Sequence, residues 1–366
     1  MIGVLITIVL TLYVMWLVVM LVAWLKLLQK KSPVIQLDPM LRYSVIIPAR
    51  NEAENVEHIV STIRSNKFPK SNYEVILIDD HSKDNTYQRL QQYREDIIYV
   101  RLQENTGKKA ALAKGIEIAT GDVIITTDAD CRVSKNWLSS IANYFEGSQV
   151  KLLSGAVGFY PLPKVFDKLQ AIEFSSLVGV GASSIYLRKP GMCNGANLAF
   201  LKTCYYEVGG YSDNLKIASG DDEFLMHKIA DRHPNSIYFN TNPDGVVYTN
   251  PQVSLGTFIQ QRKRWASKWT HYKNWVQSLT AVFIGLSNVA VFAGVGLAIS
   301  GDFVLLILLG SKLLLEVIYL RSVLRFLETK VIWIYFILLQ IIYPFYVVYF
   351  AVVANLAGYR WKGRSY

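Results

Sequence analysis

Charged and apolar positions divide this chain into three regimes. Residues 1–25 carry no charged side chain, and three further apolar runs occupy 276–300, 303–320 and 331–358. About 20 apolar residues suffice to cross a bilayer as a helix, which predicts an N-terminal anchor over 1–28 and about three spans within 276–358. The stretch between reads differently, with short apolar runs alternating with helical spacing. Residues 43–48 have a buried-strand pattern, after which Ala53, Val56, Ile59, Val60 and Ile63 recur at helical intervals. Further strands are expected at 73–79, 97–101 and 122–127, with a helix at 108–119. This alternation predicts one α/β domain over 40–251, its mostly parallel sheet covered by helices on both faces. Residues 33–40 read as a short linker out of the membrane.

Charge placement sets an orientation. Lys26, Lys30 and Lys31 follow the first apolar run directly, so the positive-inside bias puts the N-terminus outside and the next domain in the cytoplasm. A cleaved signal peptide would carry its positive charge first, so the segment reads as a retained anchor of a multi-pass protein. Ser300-Gly301-Asp302 is a polar turn between two spans. Lys312 and Glu316, four apart, share one helix face and partly neutralise each other; they either face neighbouring helices or serve substrate passage. Pro344 should kink the last span. Arg321, Arg325 and Lys330 mark the preceding loop as cytoplasmic. Four spans put Arg360, Lys362 and Arg364 outside, against the same rule, so either the rule fails at this short tail or one segment does not cross.

The net charge of +10 is not read as a nucleic-acid footprint. Much of it gathers at 260–269, where basic residues and tryptophans interleave as they do in interfacial helices, so 252–275 is expected to lie on membrane lipids. No nucleic-acid partner is expected. Cys131, Cys193 and Cys204 are widely spaced, without a C-x-x-C pair, and read as ordinary thiols in a reducing compartment.

Candidate chemistry sits in YEVILIDDHSKDNT, NTGKKAALAKGI and DVIITTDAD. Carboxylates at the carboxyl ends of parallel strands lie where open α/β sheets bind ligands, which suits a nucleotide and a metal. Strand alternation would send Asp128 and Asp130 to one side, where they could share an ion; alternatively they cap the next helix. Pro48 ends its strand and should leave the following backbone free to meet a flat base. Glu52 can accept a ribose hydroxyl or complement a helix dipole, and Asp80 can accept from a base or form an Asx turn. Gly107-Lys108 opens a helix, where free N–H groups and an ammonium favour phosphate oxygens, although Lys108 could equally be a surface lysine. Gly220-Asp221-Asp222 opens another, so Asp222 is a general base or an N-cap. The small residues of 193–197 permit close approach of a sugar or form a tight turn.

Taken in order, Val45-Ile46-Ile47-Pro48-Ala49-Arg50-Asn51-Glu52, Asp79-Asp80-His81-Ser82, Gly107-Lys108, Asp128-Ala129-Asp130, Gly220-Asp221-Asp222 and Gln261-x-x-Arg264-Trp265 resemble the membrane-anchored family 2 glycosyltransferases. That group includes cellulose, chitin, hyaluronan and poly-N-acetylglucosamine synthases and ceramide glucosyltransferases. The resemblance covers about 43–269 and the flanking spans. It implies a Rossmann-like GT-A domain between transmembrane helices and inverting, metal-dependent transfer of a hexose or N-acetylhexosamine. The donor would be a nucleotide sugar, UDP-linked, and the acceptor a lipid or growing glycan at the cytoplasmic face of a bacterial inner or plasma membrane. By the resemblance, Pro48, Ala49, Arg50 and Glu52 line the nucleoside, Asp80 accepts the uracil imide, and Lys108 meets phosphate or ribose oxygens. Asp130 holds Mg2+ or Mn2+, with Asp128 facing the ribose or the ion, and Asp222 is the general base. Asn194, Gly195, Asn197 and Asp221 line donor sugar and acceptor, while Gln261, Arg264 and Trp265 close over the pyrophosphate and stack the acceptor sugar. Asp221 stands where the family has Glu. A processive polysaccharide synthase, with partner chains for export, shares these motifs. A non-catalytic scaffold and a transporter are the competing classes.

Overall fold

The computed structural model describes residues 2–30, 40–104, 106–146, 149–214, 219–267, 275–353, 360–361 and 364–365. The expected linker, save Met40, and residues 268–274 of the expected interfacial segment lie outside them. In chain order, α1 (Ile2–Gln29) precedes β1 (Tyr43–Ala49), α2 (Val56–Arg64), β2 (Tyr73–Asp79), α3 (Thr86–Leu90) and β3 (Ile98–Arg101). Next come α4 (Lys108–Ile118), β4 (Val123–Thr126), α5 (Trp137–Phe145), β5 (Leu152–Ser154), β6 (Val157–Phe159) and α6 (Val165–Tyr186). They are followed by β7 (Leu198–Leu201), α7 (Lys202–Glu207), α8 (Asp221–Arg232), β8 (Ile237–Phe239) and β9 (Val247–Thr249). Helices α9 (Leu255–Ala266), α10 (Trp275–Ile299), α11 (Phe303–Phe326) and α12 (Trp333–Val353) complete the order, before the short strands β10 (Arg360–Trp361) and β11 (Arg364–Ser365).

The chain forms two compact units. One, residues 27–161 and 184–250, is the α/β unit. Its seven-stranded sheet has the order β3-β2-β1-β4-β7-β5-β8. Strands β3, β2, β1 and β4 run parallel, with β1 paired to β2 from Tyr43 against Tyr73 to Ala49 against Asp79. Strand β7 is antiparallel to both neighbours. A near-continuous run of Val and Ile makes β1 a central strand: Val45, Ile46 and Ile47 are fully buried, as expected for a strand covered on both faces. Helix α4 lies so close to β1 that a Cβ on Gly115 would stand 2.5 Å from Ile46 Cγ2. The chain leaves β1 for β2 and β3 on one side and returns from β3 through α4 to β4 on the other, and such a reversal of strand order is where open α/β sheets bind ligands, beyond the carboxyl ends of the strands. Strands β6 and β9 form a separate parallel pair.

The other unit comprises residues 1–26, 162–183 and 251–366. Four of its helices are long and apolar enough to cross a membrane: Ile2–Gln29, Ser278–Ile299, Phe303–Phe326 and Trp333–Phe350. On α1, Ile6, Leu10, Tyr13, Leu17 and Trp24 are buried while Val4, Leu5, Ile8, Leu12 and Met15 are exposed. One stripe packs on neighbouring helices and the apolar remainder suits lipid. Helix α11 continues to Phe326, so Arg321 and Arg325 sit on its last turns and not in a loop. The expected charge pair forms, with Lys312 Nζ 2.9 Å from Glu316 Oε2. Gln340 accepts from the same ammonium at 2.8 Å, and Tyr13 Oη donates to Glu316 at 2.9 Å. These groups satisfy one another in a buried cluster between apolar helices. Most of α6 belongs here too: Ile172 packs with Leu320, Leu324, Phe336 and Leu339, and Ser183 Oγ meets Tyr319 Oη at 2.8 Å.

Gly121, just before β4, has no room for a side chain. A Cβ would lie 2.8 Å from Ser44 N and 2.9 Å from Arg42 O, backbone atoms that cannot rotate away. Gly121→Ala is therefore expected to destabilise the α/β unit by about 1–3 kcal/mol. The check is the apparent melting temperature of the detergent-solubilised protein; an unchanged value would show that the β1–β4 edge relaxes freely.

Candidate active site

The loops after β1 and β2 are stitched together by side chains. Three successive amides, those of Asn51, Glu52 and Ala53, donate to Ser82 Oγ at 2.9 Å, Thr86 Oγ1 at 2.9 Å and Asp84 Oδ2 at 3.1 Å. The expectation that these amides are free for a base is thereby corrected. Ser, Asp and Thr after β2 take them because short polar side chains bond readily to nearby backbone. Burial alone would raise the Asp84 pKa, but hydrogen bonds from Thr86, Ala53 and its own amide outweigh it and hold the carboxyl below its ordinary value. Arg50 donates to the carbonyls of Asp80 and His81. Glu52 precedes α2 instead of lying in its first turn, and its Oε2 accepts from Asn55 at 2.8 Å. Pro48 and Ala49 lie on β1 itself, with Ala49 O accepting from Asp80 N at 2.8 Å.

The two aspartates ending β2 divide their work. Asp79 is fully buried and structural, accepting from Ser82 N at 2.8 Å and Tyr99 Oη at 2.8 Å. Asp80 reaches across to the start of α4, where it accepts from Thr106 N at 2.7 Å and Gly107 N at 3.0 Å. Gly107 has φ 96°, which favours glycine, and from it Lys108 begins the helix. Asp80 thus supports the loop that presents Lys108, a role the sequence did not reveal.

Lys108 is the junction of the site. Its ammonium lies 2.7 Å from Asp128 Oδ1 and 3.6 Å from Asp221 Oδ2. Burial works against its charge, yet Asp128 first, then Asp221 and Asp222, more than offset that and raise its pKa above the ordinary lysine value. It is no free surface lysine. Its neighbour Lys109 is buried over the Phe224 ring.

Asp221 and Asp222 open α8, whose N-cap is Gly220 in the left-handed region at φ 80°. Asp222 is therefore not the cap. Its Oδ2 accepts from Gly195 N at 2.9 Å and its Oδ1 from Glu223 N at 2.8 Å, which fixes the carboxylate's direction. Gly195 is in turn held by Thr126 Oγ1, which donates to its carbonyl at 2.7 Å. Asn194 Oδ1 accepts from Ala196 N at 3.0 Å. Asn197 departs from its expected place at the acceptor. Its Nδ2 donates to Ala156 O at 2.7 Å and Gly245 O at 2.8 Å, its Oδ1 accepts from Trp137 Nε1 at 3.2 Å, and it is 2% exposed. Its amide is committed to the interior.

The alternation argument for Asp128 and Asp130 also changes. Strand β4 ends at Thr126, and the aspartates lie on the turn beyond it, where Cys131 N donates to Asp128 O at 3.1 Å. Neither caps α5, whose N-cap is Asn136. While Asp128 pairs with Lys108, Asp130 Oδ2 accepts from Thr249 Oγ1 at 3.1 Å. Both offer hard oxygens, the donors Mg2+ and Mn2+ take, and one or two carboxylates suffice where phosphates complete the shell. Among the described residues, the group of three potential ligands with all atoms within 4.8 Å of one another is Cys204, Glu207 and His233. That group does not include the carboxylates of this site.

Gln261, Arg264 and Trp265 belong to the other unit, on α9, begun by a capping box at Ser254 and Thr257. Between them lies a residue that pattern reading passed over: Arg262, 3% exposed, whose guanidinium forks onto Glu173 of α6.

Comparisons with known proteins bear on this geometry. The model of glycosyl transferase family 2 matches residues 44–200, and that of glycosyl transferase family group 2 matches 123–353. Poly-beta-1,6-N-acetyl-D-glucosamine synthase of Staphylococcus aureus (strain COL) is 29% identical over 240 residues, 64% of this chain and 56% of the synthase. The chain thus spans about half the length of that relative. Glycosyltransferase AglE of Haloferax volcanii is 36% identical over 229 residues, 60% of this chain and 70% of AglE. Among solved structures, the mannosyltransferase PcManGT from Pyrobaculum calidifontis, in complex with GDP-Man and Mn2+, has a TM-score of 0.60 at 20% identity, over 92% of this chain and 97% of that one. The likeness shows a shared GT-A fold.

Removing the Lys108 cation should destabilise the α/β unit. In Lys108→Met, Asp128 and Asp221 lose the ammonium that contacts them at 2.7 and 3.6 Å, and removing one partner of a partly buried ion pair leaves the remaining charges uncompensated. The apparent melting temperature of the detergent-solubilised protein checks this: the variant should melt several degrees below the parent. An unchanged value would mean that Lys108 does not compensate these acids.

Proposed function

The chain belongs to glycosyl transferase family group 2, and on that premise we propose that it is a membrane glycosyltransferase that performs inverting, metal-dependent transfer. The donor is a nucleotide sugar, UDP-linked, carrying a hexose or N-acetylhexosamine, and the acceptor is a lipid-associated or growing glycan. The observation that carries this reading is the convergence of Asp128, Asp221 and Asp222 on Lys108 at the sheet's carboxyl edge. In the proposed reaction Asp222 takes the proton of the acceptor hydroxyl as that oxygen attacks the anomeric carbon. The bond from that carbon to the diphosphate breaks on the opposite face, and the electron pair leaves with the nucleoside diphosphate. Lys108 offers positive charge to the leaving phosphates, and Pro48, Ala49, Arg50, Glu52 and Asp80 border the nucleoside. Asn194, Gly195 and Asp221 lie on the sugar and acceptor side. The sequence resemblance assigns Gln261, Arg264 and Trp265 of α9 to the diphosphate and acceptor, an assignment we retain.

Asp130 and Asp128 would hold Mg2+ or Mn2+, which when bound offsets diphosphate charge. PcManGT, solved with GDP-Man and Mn2+, supports a divalent ion here. The match to a poly-N-acetylglucosamine synthase supports N-acetylglucosamine as the first donor sugar to try, and a processive mode as the second reading, with partner chains for export. Lys26 and Lys30 at the end of α1 support a cytoplasmic catalytic unit at a bacterial inner or plasma membrane.

Purified protein given a panel of nucleotide sugars with Mg2+ or Mn2+ and membrane lipids should release nucleoside diphosphate from at least one donor. Release from none would count for a non-catalytic scaffold. Asp222→Asn should retain donor binding and lose roughly 100- to 10,000-fold in turnover, the range for a lost general base; parent-like turnover would remove Asp222 from that role. Asp130→Ala should abolish the metal dependence of nucleotide binding in a calorimetric titration, whereas an unchanged metal response would reassign the ion.

A further inference from the structure

We propose that Arg262, which falls between the named positions of the Gln261, Arg264, Trp265 pattern, is a positioning residue that sets Gln261 and Trp265 through a buried ion pair with Glu173. The proposal rests on reading those two as donor- and acceptor-facing groups. Arg262 is 3% and Glu173 6% exposed. Arg262 Nε donates to Glu173 Oε1 at 3.2 Å and Nη2 donates to Oε2, a two-pronged contact that fixes the guanidinium plane. Tyr346 of α12 donates to the same Glu173 Oε1 at 2.8 Å, so a membrane helix braces the carboxylate. The remaining arm, Nη1, donates to Gln261 Oε1. The faces of the plane are used as well: its carbon lies 4.2 Å from the Trp265 ring centroid and 4.4 Å from that of Phe258.

This arrangement supplies direction more than adhesion. A buried ion pair rarely stabilises a fold better than apolar side chains of the same volume, so holding α9 on α6 does not require it. Only a donor fork with a flat face can orient an amide and an indole at once. Arginine carries donors and no acceptor, so the oxygen of Gln261 must turn toward Arg262, and its NH2 group is the end left for a ligand. An amide presented as a donor suits anionic phosphate oxygens. Lysine could keep the charge but not the fork or the stacked plane.

The test replaces the pair with Glu173→Met and Arg262→Met together, and separately makes Arg262→Lys. Three quantities are read: apparent melting temperature, turnover on the donor panel, and the fluorine NMR signal of Trp265 in protein carrying fluorinated tryptophan, assigned with Trp265→Phe. The double variant should melt within a few degrees of the parent, shift the Trp265 signal, and lose about 10- to 100-fold in turnover, as expected for small misplacement of a reacting partner. Arg262→Lys should move signal and turnover in the same direction. A folded double variant with parent turnover and an unmoved signal would overturn the proposal, as would full rescue by Arg262→Lys. If the parent itself turned over no donor, the functional reading would fail while the Trp265 signal still tested the positioning.

Discussion

One cation among carboxylates is the constraint on which the catalytic unit depends. Lys108, at the start of α4, pairs with Asp128 beyond β4 and with Asp221 at the start of α8. Acids brought this close repel one another and favour protonation unless a positive charge intervenes. The ammonium therefore ties three separate chain segments to one point. Its own placement is secured from behind by Asp80, which fixes the amides of Thr106 and Gly107. The site is thus organised from the backbone outward: strand ends deliver acids, a glycine with positive φ turns the chain, and a lysine balances the charge.

The helical unit solves the same problem in its buried interior. Lys312, Glu316, Gln340 and Tyr13 join α11, α12 and α1 through mutual hydrogen bonds, and Glu173, Arg262 and Tyr346 join α6, α9 and α12. In both sets every charge has an opposite one in contact, because an unpaired ion in an apolar interior costs far more than any single contact returns.

Much of this was legible in the sequence, for identifiable reasons. Runs such as Val45 to Ile47 and Val75 to Ile78 are so uniformly apolar that strands β1 and β2 could be placed nearly to the residue. The helix at Lys108 was announced by its glycine, and the four spans by length and lack of charge. Elsewhere local pattern gave no guide. Helix α6 buries Asp167, Gln170 and Glu173 beside Ile172 and Phe174, so its polar positions do not mark a solvent face and no amphipathic period emerges. The commitment of the Asn51, Glu52 and Ala53 amides to Ser82, Thr86 and Asp84 depends on two loops that only the β1–β2 register brings together. Asn197 reads as a ligand-facing amide next to small residues, yet its partners Trp137, Ala156 and Gly245 come from distant segments. Strand alternation failed at Asp128 and Asp130 because β4 stops at Thr126, before the first aspartate.

Asp221, where the resemblance leads one to expect glutamate, shows how these constraints interact. Gly195 lies against the acidic pair so closely that a Cβ there would stand 3.1 Å from Asp221 Oδ2 and 3.4 Å from Asp222 Cβ. The same glycine's amide orients Asp222 at 2.9 Å. Space around the first turn of α8 is therefore limited on the Gly195 side, while Lys108 approaches Asp221 from another segment at 3.6 Å. What Lys108 requires of position 221 is a negative charge within reach, and a four-carbon acid meets that requirement as well as a five-carbon one when the lysine is held in place by Asp128. The substitution shortens an arm without removing the charge. Asp222 is oriented in part by the backbone amides of Gly195 and Glu223, contacts that do not depend on the side-chain length at 221.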